Sequence, residues 1–226
     1  MSPKSIMDNV LDASGFVALS AVVPDILQEI RYHSTFNFVG ARIDGYDEPV
    51  ALMTREAAIA LRSASDEAIS RGYRIKIYDS YRPRRAVRHF ERWLTDAEDL
   101  RMKPIFYPEM EKSRLIEEEF IARYSGHCRG STLDCTLVEM SSGRDADMGG
   151  PFDFFSERSY SAYTGDLTRL QRANRALLRE IMLNNGFRGI QSEWWHFTLM
   201  NEPYPNMYFD FPVSLASLEC GRKYEK

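Results

Sequence analysis

The spacing of apolar and polar residues predicts two long helices. Thr54 can cap the first, which continues through good helix formers and stops at about Gly72. The second helix follows Gly165 and closes at Gly186. Its apolar positions, at helical intervals, are Leu167, Leu170, Leu177, Leu178 and Ile181. Both helices are therefore expected to pack against a core through an apolar face.

Strand patterns fall between and after these helices. The segment YRIKIYDSY, residues 73–81, alternates isoleucine with basic residues, which is the period of a half-buried strand. Its end places Arg82 in a loop, and Pro83 suits the first turn of a helix over RRAVRHFERWL. Residues 131–140 and 194–200 are two further strand candidates, rich in β-branched or aromatic side chains.

Another helix is predicted over RLIEEEFIARY, where Ser113 can act as the cap. The apolar stretch from Phe16 to Val23 is interpreted as an ordinary folded element. Helices and strands do not alternate strictly along the chain. The order of elements therefore predicts an α+β fold rather than a doubly wound sheet.

Composition narrows the class of protein. The 226 residues are 44% hydrophobic and 27% charged, without repeats or linkers, which predicts one globular domain over residues 1–226. The 29 basic and 33 acidic residues give a net charge of −4, so no positive field would hold nucleic acid. Three cysteines without a C-x-x-C pair, no basic leader and no long apolar run predict a cytoplasmic protein with no membrane partner. The oligomeric state stays open.

Two of the four histidines stand near acids. His127 precedes Asp134 by seven residues, with Gly130 between them to allow a bend, and Glu193 precedes His196 by three. Two imidazoles and one carboxylate would leave an open position on Zn²⁺ for water, whose proton a nearby glutamate can take. Residues three apart on a regular strand face opposite sides, so Glu193 must lie in a turn before the strand.

Other interpretations of the same residues are open. A two-histidine, one-carboxylate iron oxygenase has this ligand set but gives the glutamate no role. A non-catalytic, zinc-stabilised binding module would normally use four protein ligands. His33 and His89 are interpreted as surface or boundary histidines, and Cys128 and Cys135 as small packing residues.

Several separated segments resemble one family. SGHCRGSTLD is similar to the Ser-x-His-x-x-Gly-x-Ala-x-Asp signature of zinc peptidases related to D,D-carboxypeptidases and hedgehog-type domains, and EWWH resembles their second motif. YDSYRPRRAV, DMGGPFDFFSERS and RYHSTFNFVG narrow the likeness to D-alanyl-D-alanine dipeptidases of the VanX type, over about residues 32–196. Thr132 departs from the signature, which has alanine there, and a mild effect on packing is expected.

The resemblance implies a mainly antiparallel sheet flanked by helices and one catalytic zinc. The positions matching its metal ligands are His127, Asp134 and His196. Glu193 matches the general base and Arg82 the arginine that stabilises the oxyanion. The positions matched to gripping the ends of the dipeptide are Tyr32, Ser125 and Asp153. The implied reaction is hydrolysis of the cell-wall dipeptide D-alanyl-D-alanine, with a related D,D-carboxypeptidase or another peptidoglycan-fragment peptidase as the alternative.

Overall fold

A computed structural model describes residues 6–118 and 120–221. The strands are β1 (Met7–Val10), β2 (Phe16–Ala18), β3 (Leu27–Gln28), β4 (Leu52–Thr54), β5 (Tyr73–Asp79), β6 (Thr132–Glu139), β7 (Phe187–Gly189), β8 (His196–Leu199) and β9 (Met207–Phe209). The α-helices are α1 (Leu19–Val22), α2 (Arg55–Ser70), α3 (Arg84–Thr95), α4 (Lys103–Phe106), α5 (Arg169–Asn184) and α6 (Leu215–Gly221). This combination confirms the predicted α+β class.

The central sheet has five strands in the order β3-β5-β6-β8-β7. Only the short β3 runs parallel to its neighbour; the other three pairings are antiparallel. Strand β6 lies in the middle and is buried along nearly its whole length. Because a half-buried strand would expose alternate residues, this pattern shows that both faces of the sheet are covered at β6.

The two long helices form where the sequence predicts them. Thr54 accepts a hydrogen bond from the amide of Ala57 at the start of α2. Thr168 and Gln171 form a reciprocal capping box at the start of α5. Both helices are followed by a glycine with positive φ, Gly72 and Gly186. Leu170, predicted to face the core, is instead 60% exposed.

The prediction of a helix over residues 114–124 is wrong. The described residues there form a short 3-10 turn, Lys112–Arg114, and then turns and bends. The amides of Phe120 and Ile121 both donate to the carbonyl of Leu115, which closes a turn wider than that of an α-helix. All three side chains are buried. On a helix, positions 115 and 120 would point well apart, so tertiary burial outweighs local helix propensity here.

The remaining expectations concern the core and the membrane. Phe16 to Val23 forms β2, α1 and the C-cap of α1, so it is a folded element as predicted. Cys128 and Cys135 are free and fully buried, in agreement with their interpretation as packing residues. Within residues 6–118 and 120–221, no helix has the length and apolar character needed to cross a membrane.

Candidate active site

Three neighbouring strands bring polar residues to one place in the sheet. In the register of β5, β6 and β8, Asp79 lies opposite Asp134, and Asp134 lies opposite His196. A shift in the regular pairing of β5 and β6 occurs just before Asp79. Asp134 is fully surrounded by protein, at 2% exposure. A carboxylate so deeply buried needs positive or hydrogen-bonding partners, and the neighbouring elements supply them.

His127 reaches the same place from a 3-10 turn, Gly126–Arg129. Ser125 caps the turn, since its hydroxyl accepts from the His127 amide at 3.3 Å. The turn ends at Gly130, which has φ +79° and donates its amide to the carbonyl of His127. An added Cβ at Gly130 would lie 2.2 Å from the ring of Phe16. Glycine is therefore required for both backbone conformation and space.

We expect Gly130→Ala to lower the free energy of unfolding by about 2–4 kcal/mol, because left-handed strain and the overlap with Phe16 add together. Denaturant unfolding checks this value. Gly143→Ala is the matched control, since Gly143 also has positive φ but an added Cβ there meets nothing within 4 Å. The control should cost only about 1–2 kcal/mol for the backbone strain. Equal losses in the two variants would contradict the close packing of Gly130 on Phe16.

Three potential ligand atoms converge in a cluster formed by His127, Asp134 and His196, and all lie within 4.8 Å of one another. Nε2 of His127 is 3.3 Å from a carboxylate oxygen of Asp134, and Nδ1 of His196 is 3.1 Å from the other. Nδ1 of His127 lies 2.7 Å from the carbonyl of Ser80. A carbonyl only accepts, so Nδ1 carries the proton and the lone pair of Nε2 faces the cluster.

The cluster fits a metal ion. Oδ1 of Asp134 is buried and, apart from its contact with Nδ1 of His196, has no hydrogen-bond partner among the described residues. Burial opposes ionisation of Asp134, but the two imidazoles outweigh it and hold the pKa of its carboxyl well below the ordinary value. Burial also lowers the pKa of His196, yet Asp134 and Glu193 reverse this and raise it to about 9. The protein therefore concentrates negative potential where a cation would be held.

Glu193 lies outside the regular strand, three residues before the start of β8 at His196, as the spacing argument predicts. Its Oε2 is 3.2 Å from Nδ1 of His196, and the residue is only 8% exposed. A turn through Trp194 and Trp195 separates it from the strand and places both side chains on the same side. Glu193 therefore adjoins the cluster and lines the same cavity as its three residues.

Arg82 follows β5 and lies beside the cluster. Its Nη2 is 2.9 Å from Asp79 and 3.7 Å from Asp134, and its guanidinium lies over the rings of Tyr32 and Phe90. Asp79 accepts hydrogen bonds from Nε of Arg82 and, at 2.6 Å, from the hydroxyl of Tyr46. Burial raises the pKa of Asp79, while Arg82 opposes the rise. The buried carboxylate thus fixes the orientation of the guanidinium.

Sequence reasoning did not single out Asp79 or Tyr46. The only signal for Asp79 is its place at the end of a strand three residues before Arg82, in YDSYRP. Nothing in the sequence relates Tyr46 to it. Both residues are nearly inaccessible to solvent. We interpret them as residues that position Arg82, because each contacts the guanidinium or the carboxylate that binds it.

Tyr32 and Asp153 form the other end of the site. The hydroxyl of Tyr32 donates to Oδ2 of Asp153 at 2.9 Å, and both residues are buried. Asp153 has φ +59°, an uncommon backbone conformation for a residue other than glycine. Burial raises the pKa of its carboxyl well above the ordinary value, and the nearby Asp134 and Glu193 add to the rise. A cationic group placed beside Asp153 would remove this penalty.

A cavity of about 150 Å³ joins these groups. All eight residues singled out from the sequence line it: Tyr32, Arg82, Ser125, His127, Asp134, Asp153, Glu193 and His196. Its remaining walls include apolar side chains of the irregular segment near Phe120. His33 and His89 are not among the lining residues, and His89 instead lies 3.2 Å from Asp44. A larger cavity of about 710 Å³, behind Phe155, contains none of the eight.

Thr132 does not disturb the cluster. It is buried, and its hydroxyl lies 2.9 Å from the hydroxyl of Thr198 on the neighbouring strand. The extra oxygen is thus satisfied without displacing Asp134. A cluster that can hold a metal ion, flanked by a carboxylate and an oriented guanidinium in a small cavity, is the arrangement of a metallopeptidase.

Comparison with known proteins identifies the family. A family model described as D-Ala-D-Ala dipeptidase, peptidase M15, matches residues 12–214. The chain is 39% identical to the D-alanyl-D-alanine dipeptidase of Enterococcus faecium over 199 residues, 88% of this chain and 98% of that relative. The Streptomyces coelicolor enzyme of the same name is 37% identical over equal shares, and that of Escherichia coli 31% identical over 83% of this chain and 86% of its own. The chain belongs to the D-Ala-D-Ala dipeptidase family, which confirms the resemblance seen in its sequence.

Proposed function

We propose that this chain hydrolyses D-alanyl-D-alanine to two molecules of D-alanine, with zinc held by His127, Asp134 and His196. The observation that carries the proposal is the cavity that joins this cluster to the buried Asp153, in a member of this family. The donor set of two imidazoles and one carboxylate suits Zn²⁺ and leaves a position for water. An iron oxygenase or a purely structural zinc site would give Glu193 and Arg82 no task.

Zinc, when bound, polarises the carbonyl and lowers the pKa of a coordinated water to about 7. Glu193 accepts the proton of the attacking water at its carboxylate and later delivers it to the leaving amine. Arg82 donates to the oxyanion that develops on the former carbonyl oxygen. Because Asp79 and Tyr46 already hold the guanidinium in place, little reorganisation is needed as charge develops.

Tyr32 and Asp153 bind the free ammonium of the substrate. The carboxylate of Asp153 is buried, accepts a hydrogen bond from the hydroxyl of Tyr32 and has no arginine or lysine partner among the ion pairs of the described residues. The ammonium of a dipeptide supplies that partner. Ser125, which caps the turn of His127 and lines the cavity, adds a hydroxyl that can bind an end of the dipeptide. Recognition of the amine limits the site to substrates with an unblocked N-terminus.

We expect the zinc-loaded protein to release D-alanine from D-Ala-D-Ala and to leave N-acetyl-D-Ala-D-Ala uncleaved. Acetylation removes the positive charge that pairs with Asp153 and adds bulk in a cavity of only about 150 Å³. The measurement is D-alanine release from both substrates, side by side, with the metal-stripped protein as a control. Equal turnover of the acetylated substrate would overturn the dipeptidase assignment in favour of a D,D-carboxypeptidase.

A further inference from the structure

A second pocket, lined by cationic side chains, adjoins the metal cluster. This pocket, of about 180 Å³, is lined by Arg172, Arg175 and Arg179 of α5, and by residues of the β7–β8 region. We call it the arginine pocket. These three arginines are spaced three and four residues apart, so they share one face of the helix. None of the residues that line the pocket is acidic.

The arginines of this pocket form no ion pair within residues 6–118 and 120–221, and the acidic influence on Arg175 comes from Asp147, which raises its pKa. The hydrogen bonds formed by Arg172 and Arg175 go to backbone carbonyls. Arg175 is 7% exposed, and its Nη2 is buried without a partner. Burial, together with the nearby Arg158, lowers the pKa of Arg175 to about 10. An anion in the pocket would oppose the effect of Arg158 and raise the pKa of Arg175 again.

His196 connects the arginine pocket to the metal cluster, because it is among the residues that line both cavities. Its Nδ1 belongs to the cluster, so in the ligating tautomer Nε2 carries the proton. No hydrogen bond to Nε2 is formed by the part of the chain that the structure describes. His127, by contrast, donates its outer N–H to the carbonyl of Ser80. Metal-binding histidines usually give that proton to a carboxylate, a carbonyl or water.

We infer that the arginine pocket binds a small oxyanion, a carboxylate or a sulfate- or phosphate-type group, which accepts the Nε2–H of His196. The planar guanidinium groups match such oxyanions with paired hydrogen bonds. A zwitterion such as free D-alanine fits poorly, because no acidic side chain lines the pocket to pair with its ammonium group. The bound anion would orient His196 and so strengthen the metal site.

Isothermal titration calorimetry of the metal-free protein with sodium sulfate, and separately with sodium acetate, tests the pocket; chloride keeps the ionic strength constant. We expect one of the two anions, or both, to bind at one site per chain. Arg172→Ala and Arg179→Ala should each weaken that binding about 10-fold or more, through loss of a charge-assisted hydrogen bond. Both side chains are exposed, so these variants should fold.

Arg169→Ala is the matched control, since it removes one positive charge from the same helix but lies outside the pocket. It should leave anion binding unchanged. Absence of binding by both anions, or equal binding in the pocket variants and the wild type, would overturn the proposal. Equal binding would place the anion at Arg82 or at nonspecific surface charge. Because no metal or turnover is involved, this test does not depend on the proposed dipeptidase activity.

The link to His196 has its own readout. The anion that binds should raise the zinc affinity of the wild type by about 10-fold or more, the usual effect of a hydrogen bond to a metal-binding histidine. Competition for zinc with a chromophoric chelator measures this affinity. By reciprocity, zinc should tighten anion binding by the same factor. Arg179→Ala should abolish this increase. Anion binding with an unchanged zinc affinity would refute the coupling.

Discussion

Asp134→Ala is expected to abolish both stoichiometric zinc binding and the release of D-alanine from D-Ala-D-Ala. Asp134 is the one carboxylate among the three converging ligand residues, and it contacts both imidazoles. Without it, two neutral imidazoles remain, which hold Zn²⁺ far more weakly than three ligands with a negative charge. Zinc per chain, measured by plasma mass spectrometry after dialysis, and D-alanine release together check this result.

Asp145→Ala is the control for Asp134→Ala. Asp145 is a solvent-accessible aspartate beside the same strand β6, bound to Lys76 and far from the cluster in the register of β5 and β6. It should keep full zinc content and activity. Retention of zinc by Asp134→Ala at the wild-type level would show that the metal is held elsewhere. This result would contradict the metal site on which the proposed function rests.

The local elements of this fold could be predicted because local forces determine them. Thr54 marks the start of α2 by capping it, and Gly72 marks its end by adopting positive φ. Both residue types can be recognised in the sequence. The alternation of apolar and polar residues in β5 likewise indicates a strand with one buried face. The helix prediction over residues 114–124 fails for the opposite reason. There the burial of Phe120 and Ile121 beside the cavity, rather than helix propensity, determines the backbone.

The site required information that no local pattern carries. The register that places Asp134 between Asp79 and His196 depends on strand pairing across long stretches of chain. Tyr32 and Asp153 are 121 residues apart in sequence and 2.9 Å apart in the fold. Spacing predicted the types of ligand, whereas resemblance to a family supplied the predicted roles of Arg82 and of the residues proposed to bind the substrate's amine. Tyr46 was found only through its contact with Asp79.

The two histidines of the cluster differ in a way that only the structure shows. His127 uses Nε2 and fixes its other nitrogen on a backbone carbonyl, so its orientation is built into the fold. His196 uses Nδ1 and keeps Nε2 without a protein partner among the described residues. The fold thus fixes the orientation of the His127 ring, whereas the orientation of the His196 ring is open to an acceptor from outside the protein. In our proposal, the anion in the arginine pocket is that acceptor and adjusts the metal affinity at His196.

Glu193→Gln is expected to lower kcat for D-Ala-D-Ala by about 10²–10⁴-fold, the usual contribution of general acid–base catalysis. The amide keeps the shape of the side chain but cannot accept the proton of the attacking water. Zinc content should stay at the wild-type level, because Glu193 adjoins the cluster without belonging to it. The measurement therefore combines kcat from D-alanine release with zinc per chain on the same preparation.

The control is Glu180→Gln, which makes the same chemical change at an exposed residue of α5 whose partner is Arg71. Its kcat should equal that of the wild type. A matching fall in kcat and zinc content in Glu193→Gln would reassign Glu193 as a residue that holds the metal site together. A wild-type kcat with full zinc would mean that another group takes the proton. Since Asp153 is the remaining carboxylate in the cavity outside the cluster, Asp153→Asn would then be the variant to measure.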